Sequence, residues 1–472
     1  MRLSPLLILT CGFAAPCFAA DSPAPEQPAV PLKIHVDSDQ ILAHIAPDFI
    51  GLGYETSAVA QAGYFDVKNE TLRQLYHHLS PHGMIRIGGI ISDHTQYQPE
   101  GVLSVQTQKG TTIINKASLV ELGEFAKATG WTVMWGLNLG TGAKDEAAQQ
   151  AMAANEALRP QLHSFEIGNE VDDLKRFTHS FDSYHAAYKE YQATVRGALP
   201  EAKFSGPDTT GGGAISWVES FAATESADCR LLTSHYYRGG AGDPRSTMER
   251  MLAHDEGLDQ QLEKLRSISH SCGVPYRINE TNSFYGGGKA GVSDTFASAL
   301  WCLDYMYVLA SHECAGVNIE TDVNQLGFIS HYSPIVHDAA GHCTVRPEYY
   351  GMLAFAMSGK GDLVKIAMDK PELNFSAYAT KDEAGLLVTL INKESGRDAI
   401  IALETPASFT RCEVVRLQAA NLESHDHVTL GDKEVSNDGW WEPGEGEKLT
   451  PEQGVAQVKV PHASAALVRF DF

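Results

Sequence analysis

Two acidic residues, each at the end of an apolar stretch, carry the chemistry open to this chain. Ser164-Phe165-Glu166-Ile167-Gly168-Asn169-Glu170 has the form of a short buried strand that stops on an Asn-Glu pair. Tyr276-Arg277-Ile278-Asn279-Glu280-Thr281-Asn282 repeats that form, with an apolar entry, a Glu and then a polar loop. An acid at the C-terminal tip of a buried strand occupies the position where a parallel α/β barrel places catalysis. Two such carboxylates suit glycoside hydrolysis, in which one carboxyl protonates the leaving oxygen while the other attacks the anomeric carbon. On this reading Glu170 and Glu280 face each other across one barrel mouth, and Asn169 hydrogen-bonds a sugar hydroxyl. The carboxylate nearer a cation stays ionised as nucleophile and the other serves as the acid. Arg86 is the cation expected near Glu280; a salt bridge on a distant face is the competing reading.

Positioning these groups requires a barrel, and the sequence shows its periodicity. Eight apolar stretches recur: Phe49–Tyr54, Met84–Gly89, Thr132–Asn138, the stretch ending at Glu170, Lys203–Asp208, Leu231–Tyr237, the stretch ending at Glu280, and Gly316–Thr321. Between them Lys116–Thr129, Ser183–Leu199, Met248–Ser269 and Ser293–Ser311 have helical composition and apolar spacing. The pattern predicts a (β/α)8 TIM barrel over 48–345. A doubly wound sheet would open on a glycine-rich dinucleotide turn, which the first unit lacks. From 346 to 472 the stretches are short, β-rich and broken by turn residues, which predicts a C-terminal all-β sandwich domain. Residues 32–47, with the alternating Lys33-Ile34-His35-Val36, are expected to add an N-terminal strand to it. Trp440-Trp441 reads as a buried aromatic pair in preference to a carbohydrate platform.

Composition narrows the partners. The 472 residues carry a formal net charge of −23, and no Lys/Arg run forms a basic patch. That argues against nucleic acid and anionic membrane surfaces. Residues 1–19 have the form of a signal peptide: basic Arg2, apolar Leu6-Leu7-Ile8-Leu9, and small residues through Ala19. Residues 20–31 follow as a linker, so export to the periplasm or exterior is expected, with no membrane anchor. Six cysteines remain after cleavage; export permits disulfides, and buried free thiols are the alternative. No CxxC or Cys/His cluster has metal spacing, and no cofactor is expected.

The two acidic stretches resemble glycoside hydrolase family 79, the family of β-glucuronidases and heparanases among retaining (β/α)8 enzymes. Arg86-Ile87-Gly88-Gly89 with Asp93, and His235-Tyr236-Tyr237, are similar to further motifs of that family. The resemblance implies Glu170 as acid/base and Glu280 as nucleophile. It also implies a carboxylate pocket for the sugar, built from Tyr285 and Gly287 in Tyr285-Gly286-Gly287-Gly288-Lys289, with Tyr332 or Phe328 from the loop after strand eight. Glycine-rich backbone of this kind forms anion-binding concavities. Glu55 and Asp93 are expected on ring hydroxyls, and Tyr236 is expected to orient Glu280. The implied activity is exo-β-glucuronidase action on glycans bearing terminal β-glucuronic acid. A heparanase-like endo-enzyme needs basic residues for sulfates, which this chain does not advertise, and a neutral-sugar glycosidase has no use for Tyr285 and the glycines.

Overall fold

The computed structural model describes residues 28–471 apart from 106–110, 178, 325–326, 339–340, 370–371 and 406–410. The expected signal peptide and most of the linker lie outside the described residues.

Eight parallel strands close into a barrel. In chain order they are Ile50–Glu55, Met84–Gly88, Thr132–Leu137, Leu162–Ile167, Phe204–Thr209, Cys229–Tyr237, Tyr276–Asn282 and Val317–Glu320. They are buried almost throughout, as parallel strands covered on both faces by side chains and helices must be. The helices the sequence shows most clearly are those with termini written into it. Lys116–Thr129 is capped by the Asn115 side chain and stopped by Gly130 at φ 77°. Glu256–Cys272 has Asp255 as its cap and Gly273 at φ 75° beyond its end.

The barrel runs past residue 345. Helix Pro347–Ser358 follows the eighth strand and packs on Phe296–Ser311. Both helices are apolar on nearly every face because both are enclosed, so neither shows the one-sided periodicity of a surface helix.

The C-terminal domain is a single ten-stranded sheet curled around its own core. Strand Val30–Ile45 lies inside it, antiparallel to Gly361–Met368 and parallel to Ala399–Glu404. Strand Ser464–Asp471 shows how the domain docks. Ala466, Val468 and Phe470 fill the inner core, while Ala465 and Leu467 join the barrel's core. The Trp pair is split, which corrects the expectation of joint burial. Trp441 is buried and donates Nε1–H to Leu430 O at 3.2 Å, whereas Trp440 is 54% exposed beside the His78 ring. Cys229, Cys272, Cys302, Cys314, Cys343 and Cys412 are free thiols. No helix among the described residues is long and apolar enough to cross a membrane.

Candidate active site

Strand alternation sends every second side chain inward, so a strand normally offers its barrel mouth one residue of an adjacent pair. Two local irregularities let this site use both. In the seventh strand the register slips at Asn279: Ile278 pairs with Ser234, yet Glu280 pairs with His235. Such a bulge re-aims the chain. Asn279 and Glu280 therefore both face the interior, where Asn279 Nδ2 reaches Glu166 Oε1 at 2.8 Å and also bonds Asp208. After the fourth strand, Gly168 at φ 88° and Glu170 at φ 45° turn the chain so that Asn169 and Glu170 both reach the mouth. A left-handed Glu is uncommon and is held by its surroundings.

Arg86 stands at the centre. Its guanidinium donates to Glu280 Oε2 at 2.6 Å, Asn169 Oδ1 at 2.7 Å, Asp208 Oδ2 at 2.7 Å and Glu166 Oε2 at 3.2 Å. The planar fork satisfies all four acceptors at once, as a lysine could not. His235 is the second cationic group, with Nε2 2.7 Å from Asp208 and Nδ1 3.2 Å from Glu170. Burial alone would push its pKa down, but the charges of Glu280 and Asp208 hold it well above the ordinary histidine range. Burial also pushes Asp208 up; Arg86 and His235 outweigh that and keep it ionised. Glu166 moves the other way, raised by burial and then by the charge of Asp208. Burial and the charges of Glu280 and Glu55 likewise raise Glu320. Glu166 and Glu320 thus hold their protons more tightly than ordinary carboxyls, beneath a site whose cationic groups are Arg86 and His235.

Glu170 and Glu280 each bring an oxygen within 4.8 Å of the other, with His235 between them. Their surroundings differ. Glu280 is 9% exposed, with one oxygen on Arg86 and Oε1 accepting from Tyr237 Oη at 2.9 Å. The Glu170 side chain is 31% exposed and its one side-chain partner among the described residues is His235.

The tyrosine holding Glu280 is Tyr237, which corrects the assignment to Tyr236. Alternation decides the matter: Tyr237 shares the inward face with His235, while Tyr236 points outward, donates to Asp255 Oδ2 at 2.6 Å and stacks on Tyr305. Losing one charge-assisted bond at the nucleophile contributes about 1.5 kcal/mol or more. Tyr237→Phe is therefore expected to lower kcat by about tenfold, and Tyr236→Phe to leave kcat within about twofold while lowering the melting temperature.

Asp93 also departs from expectation. It is buried, with Oδ1 accepting the Leu139 and Gly140 amides at 2.9 and 2.8 Å and Oδ2 the Asn169 amide at 3.1 Å. It braces the loops under Asn169 and does not face a sugar. Burial raises its pKa to about 7, against the pull of those three amides. Glu55 is buried at the mouth, and its Oε2 accepts the Ile91 amide at 2.8 Å. Asn169 gives its oxygen to Arg86, leaving its amide group for a ligand.

Tyr285 and Tyr332 flank Tyr237, their ring centroids 6.1 and 6.3 Å from it. Tyr285 is 59% exposed and Tyr332 4%. Gly286, Gly287 and Gly288 take φ of 81°, 90° and 76°, and a Cβ on Gly288 would lie 2.7 Å from Tyr332 N. Among the described residues the Gly286 and Gly287 amides meet no protein acceptor. Phe328 is exposed against His331, away from this cluster of rings. Residues that sequence reasoning passed over are Glu166, Asp208, His235 and Asn279 as partners of Arg86 and of each other. Their signal was the inward parity of polar residues inside otherwise apolar strands.

A closed parallel barrel with two opposed carboxylates at its C-terminal mouth defines a glycoside hydrolase of the (β/α)8 class. The family model described as "Glycosyl hydrolase family 79, N-terminal domain" matches residues 52–307, more than half of the chain. The chain belongs to that family. It is 24% identical over 460 residues to a β-glucuronidase of Aspergillus niger, covering 81% of this chain and 82% of that one. A hyaluronoglucuronidase of Hirudo nipponia is 20% identical over 395 residues, covering 74% and 77%. The solved structure of a 4-O-α-L-rhamnosyl-β-D-glucuronidase from Fusarium oxysporum superposes with a TM-score of 0.75 at 19% identity, over 93% of this chain and all of that one, and shares its fold.

Proposed function

We propose that this glycoside hydrolase is a retaining exo-β-glucuronidase that removes terminal β-D-glucuronic acid by double displacement. The observation that carries this reading is the asymmetric carboxylate pair. The separation of up to 4.8 Å between oxygens of Glu170 and Glu280 suits the roughly 5–5.5 Å spacing of retaining enzymes and not the roughly 6.5–9.5 Å of inverting ones. Glu280, clamped by Arg86 and Tyr237, attacks the anomeric carbon as the glycosidic C–O bond breaks. Glu170 donates a proton to the leaving oxygen, then takes one from the water that breaks the glycosyl–Glu280 bond. The more open Glu170 side lets leaving group and water exchange.

The uronate carboxylate is assigned to Tyr285, the Gly287 amide and Tyr332, which line the side of the mouth next to Tyr237. The names of the relatives in Aspergillus niger and Hirudo nipponia support a glucuronide substrate. Terminal removal is favoured over internal cleavage of sulfated chains because the whole chain is acidic and the mouth is crowded with carboxylates. We also propose export, on the signal-peptide form of residues 1–19, which would set the enzyme among external glycans.

Proton NMR of aryl β-glucuronide hydrolysis tests the reading. β-Glucuronic acid is expected as the first-formed anomer; the α-anomer first would establish inversion. Aryl β-xyloside and α-arabinofuranoside are expected to be poor substrates. Oligosaccharide products from a polymer, in place of free glucuronic acid, would replace the exo assignment by an endo one.

A further inference from the structure

Two loops carry the proposed carboxylate donors, and one residue outside that donor set joins them. Asp294 ends the segment that follows Tyr285 and the three glycines. Its Oδ1 accepts the Gly291 amide at 2.7 Å, and its Oδ2 lies 3.1 Å from His331 Nδ1. His331 belongs to the other loop, one residue before Tyr332, and its own amide donates to Gly287 O at 2.7 Å. Asp294 and His331 thus close a ring that contains Gly287 on one side and adjoins Tyr332 on the other.

The ring is anchored from the C-terminal domain. Helix Phe296–Ser311 begins two residues after Asp294, and Thr295 gives it no side-chain cap. The amides of its first turn need partners from elsewhere. Phe296 N–H donates to Ser424 O at 2.7 Å and Ala297 N–H to Leu422 O at 2.9 Å, so backbone carbonyls of the β-domain cap a barrel helix. In the same segment His425 Nδ1 reaches Asp294 O at 2.9 Å.

We propose that Asp294 is a positioning residue for uronate specificity: with His331 it locks Gly287 and Tyr332 into one donor set, and the Leu422–His425 segment of the β-domain holds it in place. The inference rests on the carboxylate-pocket assignment made above. Its physical basis is the cost of ordering. Three successive left-handed glycines form the most freely moving backbone a chain can have. Donors on such backbone bind a carboxylate well only if the loop is ordered before the ligand arrives. Asp294 orders it without touching Glu170, Glu280 or Arg86 in any described contact.

Steady-state kinetics on full-length Asp294→Ala and His331→Ala, with paired aryl β-glucuronide and β-glucoside, test the proposal. KM for the glucuronide is expected to rise about tenfold with kcat changed about twofold or less. Product inhibition by free glucuronate should weaken by a similar factor, while kcat/KM for the glucoside changes much less. Asp294→Asn keeps an acceptor for the Gly291 amide but turns an N–H donor towards His331 Nδ1, so it should recover part of the loss. His425→Ala should shift the glucuronide-to-glucoside ratio in the same direction by a smaller factor. Equal losses on both substrates, or no loss in folded protein, would overturn the proposal; if Asp294→Ala does not fold, His331→Ala carries the same outcomes. The double variant Tyr285→Phe/Tyr332→Phe separates the two levels. If it leaves the ratio unchanged, the pocket assignment fails. If it lowers the ratio while Asp294→Ala and His331→Ala do not, the pocket stands and the latch falls.

Discussion

Glu280→Ala is expected to abolish turnover of every glucuronide, a fall of about four orders of magnitude or more, because no leaving group escapes the need for a nucleophile. Glu170→Ala is expected to behave differently. General acid catalysis contributes roughly 10²–10⁴-fold, and that contribution vanishes when the leaving group departs without a proton. The variant should therefore retain activity on dinitrophenyl glucuronide while losing it on alkyl and sugar aglycones. Azide separates the roles further. In Glu170→Ala it enters where the acid/base stood, attacks the anomeric carbon and displaces the Glu280 carboxylate, giving the β-glucuronyl azide. In Glu280→Ala it replaces the nucleophile, displaces the aglycone directly and gives the α-azide. The reverse pairing of variant and anomer would exchange the two assignments. The geometry underlies this expectation: Arg86 and Tyr237 bind Glu280 as an anion on both oxygens, while Glu170 stands more open with His235 behind it.

Tyr285→Phe and Tyr332→Phe are each expected to lower kcat/KM for aryl glucuronide by about one to two orders of magnitude. Hydrogen bonds to a charged group contribute roughly 1.5–3 kcal/mol each, and about 1.36 kcal/mol corresponds to tenfold in rate. A β-glucoside offers those hydroxyls no carboxylate, so its slow hydrolysis should change much less. The two sites differ in setting. Tyr332 is enclosed, its phenol held well above the ordinary range by burial and then by the charges of Glu320 and Glu280. A phenol raised in this way keeps its proton, and so its hydrogen-bond donor, through the neutral range. Tyr285 is exposed and donates from the rim. Paired kcat/KM values on both substrates read the result. Equal losses on the two would mean that the tyrosines maintain the shape of the mouth and that the carboxylate lies elsewhere.

Much of the frame was legible because its signals are local. Asn115 and Gly130 bracket Lys116–Thr129, whereas the stretch expected as one helix over Met248–Ser269 is two, Met248–Leu252 and Glu256–Cys272, the second started by the Asp255 cap. Caps act through the chain's own neighbouring amides, so they can be read without knowing what packs above. Helix Pro347–Ser358 was not legible. Enclosed between Phe296–Ser311 and the curled sheet, it has no polar face to mark its period. The same loss of contrast obscured the Trp pair, since burial of Trp441 and exposure of Trp440 depend on the barrel surface beneath them.

The site divides along the same line. An Asn-Glu pair and a second Glu, each closing an apolar strand, were sufficient to mark Glu170 and Glu280, because chain direction in a parallel barrel places every strand's C-terminal tip at one mouth. Which neighbours those acids meet was decided only in three dimensions. Tyr236 and Tyr237 are adjacent and chemically identical; strand parity sends one to Asp255 and the other to Glu280. A one-residue slip at Asn279 brings two consecutive side chains inward, and no composition announces a bulge. Asp93 resembled a sugar ligand in sequence and became a backbone brace because three amides from two loops converge on it. Residue type and order along a strand thus determined the reactive groups. Register, parity and the convergence of separate loops determined their partners, since those depend on contacts between segments far apart in the chain.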